Sequence, residues 1–272
     1  MRKNRLIFTP SFYAMTLLAI ILGYLNEYVI FALTIMIHEC GHLMMAFFYR
    51  WELEELRFFA FGGVMQFKGE LNKPNKEDLI VSSGGVIFNA ITLLILLLTR
   101  NYSSSDLRLY FYDYAIWAQI FVIVFNLIPL PPLDGSRLVS AILCCFWPYK
   151  TVLLITKWLN LILVIIGTTL TFLYDIRQIF FIVSFLTYST IKYNKQIGYI
   201  FQRFLLQKKM YINVDLPRKI VEIRNDSWED KIYRGYLNSF QVKNRLHEEI
   251  KWLKLKYQEK DTLIVDAQIK TD

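Results

Sequence analysis

Two histidines and a glutamate stand at a spacing that suits metal chemistry. They are His38, Glu39 and His42, in the stretch TIMIHECGHLMMAF, and they form the pattern HExxH. On a helix, residues four positions apart lie on one face, so both imidazoles can bind a single ion. The glutamate between them is placed to accept the proton of a water at that ion. The motif therefore predicts a zinc site with hydrolytic chemistry.

The surroundings of the motif argue against a purely structural role. His38 lies about ten residues from each end of an apolar run, too deep for a side chain that only reaches the membrane surface. Ionisable groups inside such runs usually mark function. The remaining histidine, His247, lies in the polar C-terminal part without ligand-like neighbours, so we expect it to be an ordinary solvated residue.

A catalytic zinc site normally takes three protein ligands, and the third candidate here is Asp134. It lies in the stretch FNLIPLPPLDGSR, residues 125–137. The prolines ahead of it stop the preceding helix, and Gly135 gives the backbone freedom beside the carboxylate. From position alone a second interpretation is equally good, because Asp-Gly-Ser also suits the cap of a helix over 137–147.

The composition is that of a membrane protein. Of 272 residues 55% are hydrophobic, and the mean hydropathy of +0.33 is high for a soluble domain. The net charge of +8 favours Lys- and Arg-rich cytoplasmic loops over nucleic-acid binding, for which the sequence has no motif. The three cysteines have no paired spacing, which argues against a disulfide framework or a thiolate zinc site.

Six apolar segments are candidate transmembrane helices, the first of them short but usable together with its flanks. They are Phe12–Leu25 with its flanks, Tyr28–Phe48, Leu79–Leu98, Leu109–Ile128, Val152–Leu173 and Ile176–Ile191. The first has no small-residue cleavage site and is expected to be retained as a span. A shorter segment, Arg137–Trp147, is expected to form an interfacial or buried helix. The predicted fold class is an all-α polytopic membrane protein.

Basic residues predict the orientation of these spans. Lys and Arg are concentrated in the N-terminal leader, in the connection over residues 49–78 and in the C-terminal tail. The positive-inside rule then places both termini and this connection in the cytoplasm, which fits an even number of spans. We expect the active site to open toward the cytoplasm.

The chain is predicted to divide into a transmembrane domain, residues 1–195, and a cytoplasmic tail, residues 196–272. The tail is expected to be a small α+β element, with an amphipathic helix over Leu246–Lys260. Its short strands are predicted around Val214, Ile220, Val221 and Ile223. The tail is interpreted as a reduced nucleotide-binding module, a dock for substrate or a membrane-surface element, and the sequence does not choose among these.

Four stretches together resemble a known family. They are IHECGH, FAFGGV (Phe59–Val64), SSGGVIFNA (Ser82–Ala90) and NLIPLPPLDG (Asn126–Gly135). An HExxH motif in the second span with a later Asp-Gly motif resembles the site-2 protease family of intramembrane zinc metalloproteases, peptidase family M50. Within it, the chain is most similar to the stage IV sporulation FB-type proteases, which cleave a membrane-associated pro-sigma factor.

The resemblance implies a role for each matching residue. His38, His42 and Asp134 would bind one zinc ion per chain, and Glu39 would be the general base. Asn126 matches an asparagine thought to lie near the substrate or the oxyanion, although a buried amide bonded to a neighbouring helix explains it equally well. Gly62 and Gly63 match a hairpin or re-entrant loop after the second span, to which an extended substrate would add as a strand.

The resulting hypothesis is hydrolysis of a membrane-associated protein, with a pro-sigma factor as the substrate that the resemblance implies. It also implies an inhibitory membrane protein as a candidate partner; nucleic acid is not expected, and the oligomeric state is left open. A metal transporter or sensor with a buried His/Asp site is the alternative, but it gives Glu39 no distinct role. An inactive scaffold of the same fold is a third option, against which the intact set of ligands and base argues.

Overall fold

A computed structural model of the chain describes residues 5–59, 62–102, 106–173, 180–210, 216–222, 228–242, 245–249 and 253. The chain divides into two compact units. The first comprises Met1–Glu70 and Lys76–Val139, and the second comprises Leu71–Asn75 and Ser140–Asp272. The predicted boundary at residue 195 lies within the second unit, so the division into a catalytic domain and a regulatory tail stays a prediction.

Helices form most of the described part of both units. The first unit contains α1 (Pro10–Leu22), α2 (Leu25–Phe48), nearly all of α3 (Asn75–Thr99), α4 (Asp106–Leu127) and the start of α5 (Asp134–Phe146). The second unit contains the rest of α5, with α6 (Tyr149–Leu173) and α7 (Phe180–Met210). The predicted short helix over Arg137–Trp147 corresponds to α5, which begins earlier, at Asp134 itself.

The membrane fold class is confirmed. Within the described residues, α2, α3, α4 and α6 are long and apolar enough to cross a membrane, and α1 is a shorter apolar helix. These five helices correspond to the first five predicted spans. The sixth, Ile176–Ile191, lies partly outside the described residues, and its remainder begins α7, a helix of 31 residues that continues to Met210. Basic and polar residues after Ile191 interrupt the apolar run without ending the helix. For this reason the predicted span ended at Ile191 although α7 continues.

A three-stranded sheet accompanies the helices of the first unit. Its strands β1 (Arg5–Phe8), β2 (Leu53–Phe59) and β3 (Gly62–Phe67) lie in that order, with β1 parallel to β2 and β2 antiparallel to β3. The β2–β3 hairpin confirms the hairpin expected after the second span; residues 60 and 61, between the two strands, lie outside the described part. β1 was not predicted, because its pairing with β2 joins residues about 50 positions apart and leaves no local pattern.

Glycines bring α2 and α3 into direct backbone contact. A Cβ atom at Gly84 would lie 2.6 Å from the carbonyl oxygen of Gly41, and a Cβ atom at Gly41 would collide with the carbonyl oxygen of Gly84. Small residues allow such close packing of membrane helices. The contact brings the Val81–Gly85 segment of α3 against the α2 face that carries the HExxH motif.

The core of the second unit is formed by α6, α7 and a second sheet. Its strands β4 (Arg218–Glu222), β5 (Leu237–Val242) and β6 (Arg245–Glu248) lie in that order, with β4 parallel to β5 and β5 antiparallel to β6. Fully buried residues at its centre are Cys144, Val152, Leu153, Phe204, Leu205, Ile232 and Phe240. The small α+β C-terminal element is therefore confirmed.

Details of the predicted tail differ from the structure. Ile220 and Val221 lie in β4 as expected, whereas Val214 and Ile223 lie outside the described residues. The helix predicted over Leu246–Lys260 is wrong at its start, because Leu246–Glu248 form β6. Pairing with β5 satisfies their backbone groups, which outweighs the helical pattern of the side chains. Most of the remaining predicted helix lies outside the described residues.

Candidate metal centre

The three predicted metal ligands meet at one point in the first unit. His38 and His42 are buried and lie one turn apart on α2, and Asp134 is the first residue of α5. The Oδ2 atom of Asp134 lies 2.8 Å from His38 Nε2 and 3.0 Å from His42 Nε2. The two Nε2 atoms are 3.1 Å apart. The Asp134 carboxylate therefore contacts the histidines, which favours the ligand interpretation over a helix cap.

The chemistry and spacing of these atoms fit a zinc ion. Two imidazole nitrogens and one carboxylate oxygen are a common donor set for catalytic zinc. Tetrahedral bonds of about 2.0–2.1 Å place ligand atoms roughly 3.3 Å apart, slightly wider than the triangle seen here. Atoms with lone pairs at this separation repel one another unless a proton or a cation lies between them. A bound cation would satisfy all three atoms at once.

Gly85 of α3 lies directly against the two ligand nitrogens. A Cβ atom at this position would lie 2.5 Å from His42 Nε2 and 2.6 Å from His38 Nε2. Any larger residue would therefore crowd the nitrogens that are proposed to bind the ion. In the sequence this segment is a run of small residues, Ser82–Gly85, which suits close helix packing but does not reveal the contact with the ligand nitrogens.

The backbone of α3 orients one of the imidazoles. His42 Nδ1 lies 2.7 Å from the carbonyl oxygen of Val81. A carbonyl oxygen only accepts hydrogen bonds, so Nδ1 carries the proton and donates it, and Nε2 keeps its lone pair for the metal. Sequence reasoning could not find Val81, because a backbone carbonyl leaves no mark on residue type. His38 Nδ1 is buried and has no hydrogen-bond partner in the described part of the chain.

Positive charge beside Asp134 favours its ionised form. Burial raises the pKa of Asp134, but positive charge on the two facing imidazoles and their hydrogen bonds to the carboxylate lower it by more, so the net shift is downward. A metal ion bound at the same place would supply positive charge in the same way, and an ionised carboxylate is the form that binds it.

Glu39, the predicted general base, contacts the β2–β3 hairpin. Its side chain is buried, and its Oε1 atom accepts a hydrogen bond of 3.0 Å from the backbone N–H of Gly63. A Cβ atom at residue 63 would lie 2.7 Å from Glu39 Cδ, so the hairpin can approach this closely only with glycine there. The FGGV motif therefore supplies a backbone donor that fixes the carboxylate beside the ligand pair.

Asn126 has a local contact of a different kind. Its Nδ2 atom donates a 3.0 Å hydrogen bond to the carbonyl oxygen of Val122, one turn earlier on α4. The expected bond to a neighbouring helix is therefore not the contact seen for this amide. Its proposed part in stabilising an oxyanion stays a prediction.

Comparison with known proteins identifies similar chains. A model of peptidase family M50 matches residues 27–106, which contain the HExxH motif. Stage IV sporulation protein FB of Bacillus subtilis is 24% identical over 226 residues, which cover 82% of this chain and 77% of that protein. A zinc metalloprotease of Methanocaldococcus jannaschii is 26% identical over 145 residues, which cover 52% of this chain and 42% of the relative.

A solved structure shares the fold. The site-2 protease from Methanocaldococcus jannaschii superposes with a TM-score of 0.56 and 20% sequence identity. The match covers 69% of this chain and 90% of that structure. The chain thus shares its fold with a site-2 protease.

Proposed function

We propose that this chain, which belongs to peptidase family M50, the site-2 proteases, uses His38, His42 and Asp134 to cleave a membrane-associated protein. The chain is a multi-pass membrane zinc metalloprotease. The observation that carries the assignment of its site is the contact of three metal-binding atoms beside a glutamate that the hairpin holds in place. A metal transporter would also need the three metal-binding atoms, but it would give Glu39 no function.

The proposed roles follow from the positions of the side chains. His38, His42 and Asp134 would hold zinc, which when bound supplies a Lewis acid that activates water and polarises the scissile carbonyl. Glu39 accepts a proton from the attacking water while the water oxygen bonds to the carbonyl carbon. Glu39 then returns that proton to the amide nitrogen as the C–N bond breaks. Asn126 would donate a hydrogen bond to the developing oxyanion.

The hairpin offers a way to present the substrate. Among the described residues β3 lies at the edge of its sheet, and a further strand could pair with the side of β3 that faces away from β2. Gly63 of β3 also bonds to Glu39, so a segment added to β3 near Gly63 would lie beside the proposed base. A substrate helix must unfold before its peptide bond can be attacked, and strand addition provides hydrogen bonds for the unfolded segment.

The distribution of basic residues supports the orientation. With both termini in the cytoplasm, the hairpin and the α5 start lie on the cytoplasmic side, and the site opens in that direction. The resemblance to the sporulation proteases supports a pro-sigma factor as the substrate and an inhibitory membrane protein as a regulator. Residues 196–272 would be the regulatory tail, and titration of ATP into the full-length chain would test nucleotide binding there.

The decisive experiment is co-expression with candidate membrane-associated substrates, including a pro-sigma factor. The wild-type chain should release a shorter product, and Glu39→Gln should reduce its formation by about 10²–10⁴-fold while keeping bound zinc. Cleavage by Glu39→Gln at the wild-type rate would exclude the proposed mechanism. Metal flux into vesicles with no cleavage of any co-expressed protein would support the transporter instead.

A further inference from the structure

A buried ion pair lies one turn from the proposed ligand Asp134. Asp78, in the first turn of α3, is fully buried, and Arg137 of α5 donates to it. The Nε and Nη2 atoms of Arg137 both lie 2.8 Å from Asp78 Oδ1. The two residues are 59 positions apart in sequence, so this contact joins the starts of two separate helices.

Each partner is close in sequence to a group that shapes the metal centre. Arg137 lies three residues after Asp134, which is about one turn of α5. Asp78 lies three residues before Val81, whose carbonyl oxygen holds His42. The ion pair therefore ties the helix that carries the Asp134 ligand to the helix that orients an imidazole ligand.

A third element supports the guanidinium. The ring of Trp51, which follows α2, lies 5.8 Å from Arg137 Cζ. Trp51 Nε1 also donates a 2.8 Å hydrogen bond to Glu77 Oε2 in the first turn of α3. Arg137 therefore contacts Trp51, which follows α2, and Asp78, in the first turn of α3. These two helices carry the residues that bind or orient the metal ligands.

We propose that Asp78 and Arg137 are positioning residues that place the Asp134 carboxylate against the two imidazoles. This inference rests on the proposed zinc site. A guanidinium that donates two charge-assisted hydrogen bonds to Asp78 Oδ1 restrains the distance between the start of α5 and the start of α3. Groups that orient metal ligands typically change metal affinity by 10–100-fold when they are removed.

The test measures zinc affinity of the full-length chain in detergent by competition with a chelator, alongside thermal unfolding of the metal-free chain. Arg137→Gln should weaken zinc binding by 10–100-fold. In a cleavage assay it should lower kcat and leave KM nearly unchanged. Arg137→Lys, which keeps a cation next to Asp78, should recover most of the affinity. The matched control is Arg100→Gln, which breaks the exposed pair with Asp113 on another part of the first unit and should leave zinc affinity unchanged.

Two results would overturn the inference. One is a zinc affinity for Arg137→Gln within twofold of the wild-type value, and the other is an equal loss in Arg100→Gln. If Arg137→Gln does not fold, the double variant Asp78→Asn/Arg137→Gln decides, because it leaves no unpaired buried charge. That variant should still lose at least tenfold in zinc affinity, and wild-type affinity would contradict the proposal. A wild-type chain that binds no zinc would instead contradict the proposed function itself.

Discussion

Two buried polar clusters in this molecule differ in how completely their hydrogen-bonding groups are paired. In the second unit, Lys208 donates to both carboxylate oxygens of Glu249, at 2.9 and 3.0 Å, and to the carbonyl oxygen of Tyr236, at 2.7 Å. Asn238 joins them through Glu249 and through the backbone of Tyr233. Every group in this cluster has a partner of opposite character.

The cluster in the first unit is incomplete. His38 Nε2, His42 Nε2 and Asp134 Oδ2 lie 2.8–3.1 Å from one another, Gly85 carries no side chain beside them, and His38 Nδ1 has no hydrogen-bond partner among the described residues. Buried polar groups are costly unless they are paired. A fully paired network stabilises the fold by itself, whereas a group of metal-binding atoms that converge on one point is suited to holding an ion.

Removal of either imidazole should have the largest effect. His38→Ala and His42→Ala should each lose bound zinc and reduce substrate cleavage to background, because two ligands cannot hold a catalytic ion. Zinc content and cleavage of a co-expressed substrate measure the two effects. His247→Ala is the control, since this histidine lies in β6, and it should keep both properties. Loss of zinc in His247→Ala would show that the metal binds elsewhere.

Substitutions in the fully paired cluster of Lys208, Asn238 and Glu249 should change the stability of the protein and leave its zinc affinity unchanged. Lys208→Met leaves the buried Glu249 carboxylate without its cation and should lower the free energy of unfolding by about 3–5 kcal/mol. The double variant Lys208→Met/Glu249→Gln also removes the unpaired charge of Glu249 and should recover part of the lost free energy of unfolding. Thermal and chemical unfolding measure the change. A Lys208→Met chain that stays folded but loses zinc would contradict the contrast between the two clusters.

A side chain at residue 85 should weaken zinc binding without removing a ligand. Gly85→Ala places a methyl group against both Nε2 atoms and should reduce zinc affinity by about 10–100-fold, comparable with the loss of a group that orients a ligand. Chelator competition on the full-length chain measures this. An affinity equal to that of the wild type would mean that the ion lies on another side of the imidazoles.

The same substitution at an open glycine should have the smallest effect. Gly167 lies in α6, and a Cβ atom there would meet nothing within 4 Å. Gly167→Ala should leave zinc affinity unchanged and should stabilise the helix by up to about 1 kcal/mol, because alanine is the better helix former. A loss of zinc affinity in Gly167→Ala would indicate that the effect at residue 85 is general to these helices.

The sequence predicted the features that repeat over short distances. The spacing of His38 and His42 on one helix, the five apolar spans and the glycines of the hairpin are all local patterns. Asp134 is harder to interpret from the sequence. Its position fits a metal ligand and a helix cap equally well, and only the resemblance to a family favoured the ligand role.

The remaining features depend on contacts between distant segments. Arg137 and Asp78 pair across 59 positions, and no local pattern marks either as the partner of the other. The role of Gly85 arises because α3 packs against α2, and the extension of α7 to Met210 arises where the apolar pattern has already stopped. Tertiary packing determines these features, so a one-dimensional pattern does not contain them.

The most direct test of the central claim is the zinc content of the purified full-length chain compared with that of Asp134→Asn. The asparagine has nearly the same shape as the aspartate but lacks the charge that completes the donor set. We predict about one zinc per wild-type chain and far less in Asp134→Asn, with both chains folded. Equal zinc in the two proteins, or none in the wild type after incubation with zinc, would contradict the account.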